Sequence, residues 1–142
     1  MLNEVIAGIS RKLNATFGDE YEIYENDVVQ DLTEPCFFIA VLEPGASPLL
    51  GTRGIRRYPF DIHYFPKQAG NNAELFSVAE TLLVALEYIP MADGLPLRGM
   101  SMKFKTIDGV LHFFVNYNPI VIQPKEENPM ETLTTNVGTK KG

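Results

Sequence analysis

Cysteine is almost missing from this chain. Cys36 is the single one among 142 residues, which excludes an intrachain disulfide framework and any cluster of thiolate metal ligands. A reducing cytoplasmic setting is the expectation. Long apolar runs are missing too: no stretch approaches the roughly 18–20 residues that a membrane-spanning helix needs. The opening Met1–Leu13 places Glu4 ahead of the pair Arg11 and Lys12, unlike a secretory leader. Neither a membrane nor a secretory destination is expected. A basic excess is also lacking, with 12 Lys and Arg against 18 Asp and Glu for a net charge of -6. Generic nucleic-acid binding would need a basic face to displace counterions.

Catalytic signatures are equally scarce. There is no Gly-rich phosphate loop, no paired-cysteine motif, no His-Glu-x-x-His helix and no nucleophile elbow. His63 and His112 lie far apart in the chain, and with Cys36 they could form a Cys-His pair only by an accident of folding. Cys36, flanked by Pro35 and Phe37, reads as a buried and inert thiol. Asp61 and His63, two residues apart on one strand face, read as a polar pair on a sheet surface. Neither enzyme activity nor a cofactor or metal site is expected.

Apolar residues are plentiful at 45%, with 11% aromatic, enough for one real core. A single α+β domain is expected over residues 1–123. From Pro124 the composition turns polar, and 124–142 reads as a loosely ordered tail. Charge is unevenly spread. Residues 1–34 hold eight acids against Arg11 and Lys12, while the later bases bunch at Arg53, Arg56 and Arg57 and again at Arg98, Lys103 and Lys105. One protein could thus carry an acidic surface and a basic one, although solvated charge is the plainer reading.

Leu2, Val5, Ile6, Ile9 and Leu13 recur at helical spacing, with Gly18 placed to end the run. Tyr21–Tyr24 reads as a half-exposed strand and Cys36–Leu42 as a central one. Tyr58–Phe65 alternates and stops at Pro66. Asn71 with Glu74 has capping-box spacing, and the apolar run from Leu75 to Ile89 predicts a second helix, apolar around most of its girth, whose spare flank meets the first helix or another subunit. Asp108-Gly109 supplies the positive backbone angles of a two-residue hairpin turn. The register then sets Ile107 against Val110, Phe104 against Phe113, Met102 against Val115 and Met100 against Tyr117, with these apolar pairs on one side. Lys105 against His112 and Ser101 against Asn116 fall on the other. Pro119–Gln123 adds a short extended stretch. The order read is α-β-β-β-α-β-β plus that segment.

Glu43–Arg57 holds two prolines and three glycines without periodicity and reads as a long loop. Its three arginines could grip phosphates or a carboxylate, yet the same segment carries Leu49 and Leu50 beside Pro48, an apolar triplet where exposure is expected. Docking is therefore favoured, with Leu49, Leu50, Arg53, Arg56 and Arg57 contacting a neighbouring subunit or another partner.

Read in order, the pattern resembles the tail terminator family of tailed bacteriophages and prophages, particularly small members from phages of Gram-positive bacteria. The resemblance rests on a first helix ending Lys12-Leu13, then Gln30, Pro35, Phe37, Phe38 and Ile39. Arg57–Ile62, Tyr64-Phe65-Pro66, Asp108–Phe113, Met130-Glu131 and Leu133 complete it. It implies a largely antiparallel sheet with the two helices on one face, assembled with copies of itself into a closed ring, usually a hexamer. Such a ring caps the completed tail tube, stops polymerisation, joins the filled head through a head-completion or connector protein, and lets DNA pass through its lumen. It implies residence in the virion tail, after assembly in the host cytoplasm. A different neck or connector protein of the same particle is one alternative, and a small cytosolic anion-binding domain using the arginines is another.

Overall fold

A computed structural model describes residues 1–25 and 32–122. Its element order is α1 (Leu2–Phe17), β1 (Glu22–Glu25), β2 (Cys36–Val41), β3 (Gly45–Pro48), β4 (Arg53–Phe65), α2 (Asn72–Ala85), β5 (Tyr88–Pro90), β6 (Pro96–Ile107), β7 (Val110–Tyr117) and β8 (Ile120–Ile122). The expected tail from Pro124, together with Gln30, Met130, Glu131 and Leu133, lies outside the described residues.

Among the described residues, two helices and a mostly antiparallel sheet make this an α+β fold. The strands run β1-β2-β4-β7-β6-β5, with β3 and β8 also paired to β4. The β1–β2 pair is parallel. Alternation sends Phe37 and Ile39 of β2, Phe60, Ile62 and Tyr64 of β4, and Leu111, Phe113, Val115 and Tyr117 of β7 to one face. They share a buried cluster with Val5, Ile6, Ile9 and Leu13 of α1 and Leu75, Val78, Ala79 and Leu82 of α2. Each fully buried Val, Leu, Ile or Phe among them contributes about 1.5–3 kcal/mol through burial.

The helix ends follow their local chemistry. Gly18 adopts a φ of 94° and its N–H donates to the Asn14 carbonyl at 2.9 Å, closing α1. The Asn71 side chain accepts from the Glu74 N–H at 3.1 Å, capping α2. The second helix stops at Ala85 instead of reaching Ile89, because Tyr88–Pro90 pairs with β6. The buried Tyr117 hydroxyl donates to the Leu86 carbonyl at 2.6 Å and fixes that exit. Of the helix's surplus apolar residues, Phe76 and Val84 remain exposed.

The Asp108-Gly109 hairpin forms in the expected register, with Phe104 opposite Phe113, as far as Lys103 opposite Phe114. Beyond it a bulge between Met100 and Lys103 shifts the pairing, so Met100 faces Asn116 and Gly99 faces Tyr117. Ser101 has a φ of 56°, the positive angle that goes with the extra residue. Strand alternation also corrects the expected sidedness: Ile107 and Val110 share the face of Lys105 and His112, three residues out of phase with Phe104 and Phe113.

The largest difference concerns Glu43–Arg57, which is not a loop. Gly45–Pro48 pairs antiparallel with Gly54–Arg57, and β4 begins at Arg53, five residues before the alternating segment. Glycine and proline suppressed the period-two signal, but Pro48 sits on an edge strand, where a missing N–H costs no ladder bond.

Candidate assembly surface

β4 does two jobs along its length. Its second half lies between β2 and β7 and feeds the core. Its first half, Arg53–Arg57, is flanked instead by β3 and β8, making a small three-stranded arm. Leu42 donates from its N–H to the Pro59 carbonyl at 2.9 Å before the chain swings out and returns as β3. β2 and β3 therefore lie end to end along one edge of β4, as β7 and β8 do along the other. At the tip the Leu49 N–H donates to the Arg53 carbonyl at 2.8 Å, which holds Leu49 in the ladder and leaves Leu50 in the turn.

Alternation separates the three arginines. Arg53 and Arg57 share a face with Ile55, and Arg56 lies on the opposite one. The Arg57 guanidinium donates to the Ser47 hydroxyl at 2.7 Å across the hairpin, and the Arg56 N–H donates to the Pro119 carbonyl at 2.9 Å. Ile120 opposite Ile55 and Ile122 opposite Arg53 add apolar side chains to the Arg53–Arg57 face. The arm is thus apolar and basic at once: Leu50 is 85% exposed, Ile122 72%, Ile120 58% and Leu49 39%. Among the described residues these apolar side chains are exposed together along the arm, around a buried Gly54. All five residues expected to dock lie on it, although its contribution from β8 was not legible in the sequence.

Acidic side chains occupy other parts of the fold. Asp19 and Glu20 follow α1, and Glu22 and Glu25 stand exposed on β1, the edge strand of the sheet.

A model of the phage tail terminator protein family matches residues 4–129. The chain belongs to that family. Its role is accordingly that of a phage tail protein, interacting with other tail or head proteins of the particle. No curated protein matches the chain. One protein of solved structure shares 11% identity over 86% of this chain and 98% of its own at a TM-score of 0.36, a likeness that carries no argument. Among the described residues, no helix is long and apolar enough to cross a membrane.

Membership of the terminator family does not draw on the remaining polar groups. Cys36 is buried in β2, and burial pushes its thiol up to about 11, with Glu34 and Glu22 adding to the effect. A thiol so placed is a weak nucleophile. Asp61, His63 and His112 are brought together on the sheet face opposite the one that bears Phe60, Ile62, Leu111 and Phe113 of the buried cluster. His63 pairs directly with His112 across β4 and β7, and both rings contact Asp61. The pair expected from sequence is therefore a triad; only the β4–β7 pairing, invisible in the sequence, supplies its third member.

Proposed function

We propose that the protein closes into a ring, usually of six copies in this family, that caps the finished tail tube, ends its polymerisation and offers the surface to which the filled head joins. The observation that carries this reading is the family match over residues 4–129. The arm formed by β3, β4 and β8 supplies a means. Leu49 and Leu50 at its tip would seat against a neighbouring subunit or the tail tube, with Arg53, Arg56 and Arg57 setting approach and register.

A head-to-tail ring repeats one heterologous interface, in which a surface on each subunit meets a different surface on the next. A basic apolar arm and an acidic sheet edge on the same chain suit that requirement, since complementary charge raises association rates and fixes register. A single domain over residues 1–123 with a tail from Pro124 that orders on assembly completes the proposal.

Mass measurement of the purified chain, alone and with tail-tube protein, tests the ring. A closed oligomer in at least one of the two conditions is expected. A strictly monomeric mass at high concentration in both would sink the proposal.

A further inference from the structure

The outer face of the sheet carries a buried carboxylate with an unusual set of neighbours. Asp61 is only 8% exposed. One of its oxygens, Oδ2, accepts from His63 Nε2 at 3.0 Å and from His112 Nδ1 at 2.9 Å. The other, Oδ1, is buried without a hydrogen-bond partner among the described residues. Lys103 and Lys105 of β6 lie over the Phe114 ring at 5.8 and 5.7 Å, and among the described residues the salt-bridge partners of Asp61 are the two histidines. Among the described residues the carboxylate is thus paired with two imidazoles and with no Lys or Arg, and a buried charge without a fixed counter-charge is costly.

We propose that Asp61, His63 and His112 form a binding site for a borderline-soft divalent metal ion of the zinc class. Two imidazoles and one carboxylate are the ligand types that zinc takes when three protein groups hold it and a fourth position stays open. The geometry is close to what the ion needs. Bonds of about 2.0–2.2 Å in a tetrahedron set ligand atoms about 3.3–3.6 Å apart, and the three donor atoms here all lie within 4.8 Å of one another. Both ring nitrogens already aim at one carboxylate oxygen, so a small retreat of Oδ2 opens the centre.

The backbone holds the donors in place. His63 and His112 are cross-strand partners near one end of the β4–β7 ladder, and Asp61 is two residues along β4 on the same face. Phe38 packs beside the His63 ring with centroids 5.8 Å apart, shielding the site on one side. The histidines keep partial exposure, 25% for the His63 side chain and 17% for His112, which gives an ion a way in and leaves the fourth position to solvent. A hard cation such as Mg²⁺, which prefers an all-oxygen octahedron, suits this donor set poorly. The site does not depend on the arm or on ring closure.

The test is titration of the full chain with Zn²⁺ after chelator treatment, read by calorimetry and by the thermal midpoint, with Co²⁺ as a spectroscopic probe and Mg²⁺ as the control. One Zn²⁺ per chain, a raised midpoint, and the visible bands of tetrahedral Co²⁺ are expected, with no response to Mg²⁺. His63→Ala and His112→Ala should each weaken Zn²⁺ binding by more than about tenfold, since losing even an outer partner of a metal ligand costs that much. Circular dichroism establishes that each variant is folded, and His112→Asn serves as the milder change if alanine disrupts the sheet. Absence of stoichiometric Zn²⁺ binding by the wild-type chain, or binding unchanged in folded variants of both histidines, would overturn the proposal and leave the triad as a hydrogen-bond network.

Discussion

Gly99 has no room for a side chain. A Cβ there would lie 2.5 Å from the Leu86 carbonyl oxygen and 2.9 Å from Val115 Cγ2, while its N–H donates to the Glu87 carbonyl at 2.7 Å. The bulged end of β6 closes on the exit of α2 only because this residue is glycine. Gly99→Ala should lower stability by about 1–3 kcal/mol, the usual cost of overpacking, as a shift in urea midpoint. Glu74 is a second such position. Burial pushes its carboxyl up, but the Tyr64 hydroxyl at 2.5 Å and backbone N–H groups of Lys67 and Gln68 outweigh that and hold it below the usual 4.5. A depressed carboxylate contributes stability above its ordinary value, and the contribution disappears as pH falls through its lower folded-state value. Tyr64→Phe should therefore cost about 0.5–1.5 kcal/mol near neutrality, less than a fully buried charged hydrogen bond because solvent screens the partly exposed Glu74 carboxylate. The difference from wild type should shrink in acid unfolding curves as Glu74 protonates. Residue identities of this kind were half legible. Asn71 with Glu74 announces its cap by spacing, whereas the meeting of His112 with Asp61 depends on which strands pair, and nothing in either local segment encodes that.

Among the elements, those with strong local signals were legible. The period of Leu2, Val5, Ile6, Ile9 and Leu13 gives α1, and Asp108-Gly109 gives the β6–β7 turn. Elements defined by their partners were not. β3 is four residues containing Gly45 and Pro48 and exists because β4 extends to receive it. β5 is three residues hidden in a continuous apolar run. The arm provides the test at this scale. Leu50 is almost fully exposed, so Leu50→Asp should change monomer stability by no more than about 0.5 kcal/mol while weakening assembly measured by analytical ultracentrifugation. Replacing Arg53, Arg56 and Arg57 by glutamate should weaken assembly and alter its salt dependence. The monomer should stay folded, because these side chains lie on an arm outside the buried cluster. Unchanged association in both variants would remove the arm from the interface.

For the molecule as a whole, one buried cluster joins both helices to three central strands, and the surfaces left over are unlike one another: a basic apolar arm, an acidic edge strand and a sheet face bearing the triad. Family membership and these unlike surfaces together support a ring built from a single repeated contact. Segregated charge was visible in the sequence, because it is a matter of counting. The arm that carries the basic charge was not, since β8 joins β3 and β4 from beyond the whole second helix and the hairpin. The central claim is that this chain ends tail-tube growth. Electron microscopy of particles made by a phage lacking only this protein measures that most directly. Tails of greater and variable length, without joined heads, are the predicted result, and tails of normal uniform length would contradict it.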